Sequence, residues 1–364
     1  MKHFLPVLGA LLFASPAFCQ SQSPKPRMEI AFVLDTTGSM GGLIDGAKKK
    51  IWSIVNQIAS AKPQPEIRVG FVAYRDKGDA YITQVHDLSA DLDKSFATLD
   101  KFEAGGGGDT PEHVQAGLHD AVTKLSWGKS GSGNANYQVI FLVGDCPPHF
   151  DYKDGINYKT DLERAARRGI LVNTIRCGDN AETEKIWLDI AKRGMGTYLS
   201  LPQDGGTISI PTPYDGAMAK LADELESTTV AFRGKEARQR ASAASNAVAL
   251  PAAKAERGAF NAKSAQIYGS FDATTAVASG RRAESIKDSE LPEKLAKMPK
   301  KERVAYLNKQ AARRKIVQKQ MAQLEKKRAA FLRAAQKKQG GASGFDQKML
   351  QTFRKQATAR GFVY

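Results

Sequence analysis

The stretch MEIAFVLDTTGSMGGLIDGAKKKIWSIVNQI, residues 28 to 58, constrains the fold more than any other. Ile30 to Leu34 is an apolar run of strand length, and a carboxylate, Asp35, ends it. From Leu43, residues Ile44, Ala47, Ile51, Ile54, Val55 and Ile58 recur at spacings of three and four, the period of an amphipathic helix. Asp35, Thr37 and Ser39 therefore fall on a tight turn between a buried strand and a helix. In open α/β sheets ligands bind at the carboxyl edge of the strands, where this turn lies. One carboxylate and two hydroxyls are hard oxygen donors, suited to Mg²⁺, Mn²⁺ or Ca²⁺ rather than to a soft metal. The same residue types favour helix N-caps, so the turn alone does not separate a metal site from a capped helix.

Later segments repeat the strand–loop–helix logic. Ile67–Tyr74 and Tyr81–Leu88 read as strands joined by the polar turn Arg75–Asp79, a hairpin. Asp91–Phe102 reads as a short helix. Gly105-Gly106-Gly107-Gly108-Asp109-Thr110-Pro111-Glu112 follows, and Pro111 and Glu112 suit the first turn of a helix running through Val114, Leu118, Ala121, Val122 and Leu125. A glycine run before a helix can cradle phosphate. A P-loop needs Gly-Lys-Ser/Thr there, however, and Gly-Asp-Thr points to a cation. Tyr137–Gly144 is apolar throughout, like a central strand of a parallel sheet, and it delivers Asp145. Helices over 156–168, 182–193 and 213–232 alternate with strands over 170–176 and 196–201. The pattern predicts an α/β fold, a doubly wound, mostly parallel sheet with one antiparallel edge strand.

Asp35-Thr36-Thr37-Gly38-Ser39 resembles the D-x-[S/T]-x-S motif of von Willebrand factor type A domains, which opens a metal-ion-dependent adhesion site. The Asp109 loop is similar to the D-x-P-E version found in integrin beta subunits, and Asp145 matches the aspartate after the family's fourth strand. The resemblance covers residues 28–232. It implies a divalent cation, Mg²⁺ or Mn²⁺ or Ca²⁺, held by Asp35, Thr37, Ser39 and Asp145. Asp109, Thr110 and Glu112 are all candidates for the remaining ligand, and the sequence does not choose among them. It also implies a protein partner that supplies an acidic side chain to the metal, and no catalysis. A competing resemblance is to the haloacid dehalogenase superfamily, with Asp35 as nucleophile and Gly144-Asp145 as the last motif. That scheme leaves the Asp109 loop without a role and lacks a clear third-motif lysine. Ser39 lacks the G-x-S-x-G context of a hydrolase nucleophile. His86, His113, His119 and His149 are scattered and read as ordinary surface or edge residues rather than zinc ligands.

Residues 1–19 read as an export signal: Lys2 and His3, a largely apolar Phe4–Phe13, then Ala17-Phe18-Cys19 before a cut. The run is shorter than the ~20 residues that span a bilayer. Residues 20–27 read as a linker. The expected compartment is the periplasm or the exterior. An oxidising compartment permits a disulfide between Cys146 and Cys177, which end strands expected to be neighbours. The alternative is two buried thiols.

Charge divides the rest. Residues 233–364 hold 30 Lys and Arg against 10 Asp and Glu, a net of +20 in a chain of +16. Residues 233–290 are rich in Ala and Ser and read as a link or a small helical region. Residues 291–364 read as a basic helical region. Val317, Met321, Leu324, Phe331 and Ala335 form a narrow apolar stripe, and Phe345, Met349, Leu350 and Phe353 lie on one side of a second helix. The two helices are expected to pair as a hairpin or to dock on the first domain. Basic helices attract anionic surfaces such as an envelope or membrane. Export and the lack of interleaved aromatics argue against nucleic acid.

Overall fold

The computed structural model describes residues 26–129, 136–203, 210–246, 251–269, 271–338 and 345–364. The export signal and most of the linker lie outside them. Six strands form one sheet: β1 (Arg27–Asp35), β2 (Glu66–Tyr74), β3 (Thr83–Ser89), β4 (Asn136–Gly144), β5 (Leu171–Cys177) and β6 (Met195–Leu201). Their order is β3-β2-β1-β4-β5-β6, with β3 antiparallel and the others parallel. The expected doubly wound sheet and its hairpin are both present.

Helices in the first half are α1 (Gly41–Ile58), α2 (Leu92–Leu99), α3 (Val114–Thr123), α4 (Tyr158–Arg167), α5 (Ala181–Arg193) and α6 (Asp215–Ser227). Period-two alternation sorts the strand residues between two cores. Met28, Ile30, Phe32 and Leu34 of β1 face α1 and α2, whereas Ala31 and Val33 face α3. Phe32 lies level with Phe71 on one neighbour and Phe141 on the other, and the rings stack with centroids 5.8 and 5.7 Å apart. This ladder fixes β2-β1-β4 in register and so brings the ends of β1 and β4 side by side.

One helix start differs from expectation. Helix α3 begins at Val114, not at Pro111. His113 caps it by accepting from the Ala116 amide, and Pro111 and Glu112 stay in the preceding loop. There the Glu112 amide donates to the Pro147 carbonyl at 2.9 Å, and the His149 amide donates back to Glu112 at 3.1 Å. Those two bonds recruit Glu112 to the loop after β4 rather than to the helix.

The basic half is helical and shares the sheet's core. It contributes α7 (Lys235–Asn246), α8 (Pro251–Lys263), α9 (Ala273–Ala278), α10 (Glu293–Ala296), α11 (Lys300–Lys338) and α12 (Phe345–Thr358). Phe260, Tyr268, Phe271, Met349, Phe353 and Phe362 join the core on the α1 face. Of the two arrangements expected for α12, docking is the one seen. Phe353 packs edge-on against Tyr137 at 4.7 Å, and Gln356 exchanges two hydrogen bonds with Asn173. Asn173 is fully buried within β5; its Oδ1 also accepts from the Thr197 amide of β6, so it is the Nδ2 donor that the helix satisfies. Val363 then pairs with Lys62 through two backbone bonds of 2.7 and 2.8 Å. The apolar stripe of α11 is buried at Val317 and Met321 but reaches solvent at Phe331. No described helix is long and apolar enough to cross a membrane.

Candidate metal centre

Asp35 ends β1 beside Tyr74 of β2 and is completely buried. Its Oδ1 accepts from the Thr37 amide at 2.9 Å and from the Thr37 hydroxyl at 2.6 Å. That Asx-type turn spends the Thr37 proton on Asp35 and leaves the hydroxyl's lone pairs free. Asp35 Oδ2 has no hydrogen-bond partner. A Cβ on Gly144 would sit 2.4 Å from the Tyr74 hydroxyl and 3.2 Å from Asp35 Oδ2, so only glycine lets β4 pass so close.

The glycine-rich loop closes over the turn. Gly105 donates to Thr36 O and Gly38 donates to Gly106 O, while Arg75 bridges Thr36 O and Glu103 O. Gly106 and Gly107 have φ of 81° and 88°, the left-handed region that glycine enters without strain. A Cβ on Gly107 would meet both Glu112 Oε1 and Thr37 Cβ. The loop thus delivers Glu112, which is buried and whose Oε2 lacks a partner. Asp145, just past β4, is the third carboxylate. Its Oδ1 is buried without a partner, and its Oδ2 accepts from Gln203 at 2.6 Å.

Three buried carboxylates at one strand edge repel one another. Burial pushes the Asp35 carboxyl up to about 7, with the Asp145 charge adding to it against the Thr37 hydrogen bond. Burial pushes Glu112 up to about 9, with Asp35, Asp76, Asp79 and Asp145 all adding. A buried carboxylate oxygen with no hydrogen-bond partner is uncommon in a folded interior. The donor set, carboxylates plus a hydroxyl, is the one a hard divalent cation takes. Asp35, Thr37, Glu112 and Asp145 carry the donor types such an ion takes, although the three carboxylates do not bring one oxygen each within 4.8 Å of one another.

Among the remaining candidates, Ser39 lies on the same turn but is exposed, and its carbonyl accepts from Gln203. Of Asp109, Thr110 and Glu112, only Glu112 turns inward; the other two are exposed. Of the two alternatives for Cys146 and Cys177, the structure has free thiols. Gly144 is level with Arg176, so Cys146 lies one residue past the position level with Cys177, beyond the strand end. Cys177 instead packs into the core on the α1 face. Burial pushes both thiols up, with Asp145 adding to each. Two histidines also depart from expectation: His113 and His149 are buried. Gln203, a neutral residue after β6, was not legible as part of this site.

A family model described as von Willebrand factor A domain matches residues 29–206. The chain carries a von Willebrand factor A domain. Curated relatives match part of the chain. The mouse von Willebrand factor A domain-containing protein 7 is 33% identical over 106 residues, and the rat protein 34% over 97. An ariadne-like RING finger protein of Acanthamoeba polyphaga mimivirus is 30% identical over 135 residues. The mouse alignment covers 29% of this chain and 11% of the relative, the rat alignment 27% and 10%, and the mimivirus alignment 37% and 12%. The chain therefore spans about a tenth of their length. Among solved structures, the von Willebrand factor A domain of SpRpn10 covers 50% of this chain and 89% of its own, at 17% identity and a TM-score of 0.35. Proximal thread matrix protein 1 from the mussel byssus covers 50% and 43%, at 14% identity and a TM-score of 0.34. Among the described residues no lysine is paired with Asp35 or Asp145, and nothing favours the phosphotransferase reading.

Proposed function

We propose that the domain is a metal-dependent protein-binding module, not an enzyme, acting through an adhesion site at the Asp35 turn. The observation that carries this reading is that Asp35, Glu112 and Asp145, in three loops at the carboxyl edge of a von Willebrand factor A sheet, each bury a carboxylate oxygen that has no hydrogen-bond partner. Asp35, Thr37, Ser39, Glu112 and Asp145 would hold Mg²⁺ or Mn²⁺. When bound, the ion offers a coordination position to a carboxylate from a partner protein. Thr37 and Asp35 stay locked by their two hydrogen bonds, and Gln203 holds Asp145 with its free oxygen inward. Exposed Ser39 marks the solvent side, where a partner would enter.

The test is calorimetry and thermal melting of the full chain. Mg²⁺ or Mn²⁺ at millimolar concentration is expected to raise the melting temperature by mass action, and Asp35→Ala to abolish the rise. No binding of either ion at that concentration would sink the adhesion-site reading.

In the same reading the protein is exported to the periplasm or exterior, and the exposed basic side of α11 meets an anionic envelope surface. Lys309, Lys315, Lys319, Lys326, Lys327 and Arg333 are exposed along it. Because α8 and α12 complete the sheet's core, the full chain is the species to test. It is expected to bind vesicles rich in anionic lipid at low salt and to leave them as salt rises, since such charges are screened over about 8 Å at physiological ionic strength. Binding that persists at ~1 M salt would replace the electrostatic reading with an apolar one.

A further inference from the structure

We propose that Asp76, Asp109 and His149 form a second metal site, beside the Asp35 turn but chemically different from it, that takes a divalent d-block ion of the Zn²⁺ type. One ligand atom from each residue lies within 4.8 Å of the other two. His149 Nε2 faces Asp76 Oδ2 at 3.4 Å and Asp109 Oδ2 at 3.6 Å. A tetrahedral ion about 2.0–2.1 Å from each donor needs donors roughly 3.3 Å apart, so His149 Nε2 stands close to Zn²⁺-ligand spacing from both carboxylates.

The histidine supplies the second, independent observation. His149 is nine-tenths buried, and its Nε2 makes no hydrogen bond. Its other nitrogen, Nδ1, lies 2.8 Å from Asp151 Oδ1. A carboxylate on Nδ1 holds the proton there and leaves a lone pair on Nε2, the second-shell arrangement that orients metal-binding histidines. In that tautomer the lone pair lies between two carboxylates, and either a proton or a metal ion on Nε2 relieves the repulsion. The other buried histidine shows the contrast. His113 Nε2 lies 2.9 Å from Asp154, and its Nδ1 accepts from the Ala116 amide, so both nitrogens are engaged.

The surroundings hold the donors in place. The His149 ring stacks on Tyr152 with centroids 4.2 Å apart, and the Tyr152 hydroxyl donates to Asp76 at 2.7 Å. Asp76 is buried, whereas the Asp109 side chain is 60% exposed and free to swing onto an ion. Two carboxylates and a neutral imidazole balance a dication and leave a fourth position facing solvent. An imidazole donor selects Zn²⁺-type ions over Mg²⁺, which prefers oxygen ligands throughout. This inference does not depend on the Asp35 site.

The test titrates the full-length protein, saturated with Mg²⁺ and stripped of d-block metals, with Zn²⁺ against a competing chelator, and with Co²⁺ read by its visible absorption. The expected result is one Zn²⁺ bound by the wild type and equally by Asp35→Asn. Zn²⁺ affinity should fall at least tenfold in Asp109→Asn, whose exposed side chain leaves the fold intact, and also in His149→Gln. The Co²⁺ bands of a four- or five-coordinate site should vanish in both. Zn²⁺ affinity unchanged in Asp109→Asn would overturn the proposal, as would loss of Zn²⁺ in Asp35→Asn, which would assign the ion to the Asp35 turn.

Discussion

Freed of divalent cations, the protein is expected to lose stability as pH rises from about 5 to about 9, and millimolar Mg²⁺ or Mn²⁺ to remove most of that loss. The cause is the carboxylate cluster. Asp35 is held up to about 7 and Glu112 up to about 9, in each case first by burial. Both values lie above the ordinary carboxylate range of the unfolded chain, so the folded state holds the extra protons. Stability from such groups is fully present below the unfolded values and is lost as pH climbs through the folded ones. At about 1.4 kcal/mol per pH unit, Asp35 alone accounts for a change on the order of 3 kcal/mol between pH 5 and its folded value. A bound dication reverses the sign by favouring the charged forms, and it displaces protons as it binds. Melting curves at a series of pH values, with EDTA and with Mg²⁺, measure this. Calorimetric heats should also vary with the ionisation enthalpy of the buffer. A melting temperature that stays flat or rises between pH 5 and 9 in EDTA would show that these carboxyls are not held protonated.

A comparably large effect is expected far from the metal edge, at Arg314 of α11. Its guanidinium is buried against Asp272 and Thr275, and it also donates to Thr228 Oγ1 at 2.8 Å and Thr229 Oγ1 at 3.0 Å. Asp272 is fully buried and caps α9 through the Thr274 and Thr275 amides while holding the Val230 amide at 2.8 Å. Arg314→Ala removes the only cation the described residues place on that carboxylate and leaves it charged in a dry site. Breaking such a pair from one side costs about 3–5 kcal/mol. Arg314→Lys should recover little, because one ammonium cannot reproduce the planar fork that reaches four partners. Urea unfolding reads the loss directly, and a loss below about 1 kcal/mol for Arg314→Ala would mean that the cluster is solvated.

The sheet was legible because its signals are periodic and local. Apolar runs gave β2, β4 and β5 to within a residue and the end of β1, which starts three residues earlier than its apolar run, and the polar Arg75–Asp79 turn gave the antiparallel edge. The Asp35 turn and Asp145 were legible because their residue types sit at strand ends. Three things were not. Helix α3 starts late because Glu112 is drawn into backbone pairing with Pro147 and His149, a non-local bond that propensity does not encode. The choice of Glu112 over Asp109 rests on which way a glycine loop folds, and glycine leaves that to tertiary contacts. Gln203 and His149 carried no sequence signal, since their partners come from loops distant in the chain. Even the basic stripe of α11 concealed Arg314, which looks from sequence like one more surface charge.

The docking of α12 bears on how the chain reaches its fold. Phe353, Gln356 and Phe362 cover strands that are synthesised some two hundred to three hundred residues earlier. Until residues 345–364 are available, Asn173 has lost one of its partners and the Tyr137 ring lacks its cover. A nascent chain therefore leaves part of this apolar sheet face uncovered until those residues follow. Long-range closure of this kind slows folding and leaves intermediates prone to aggregate.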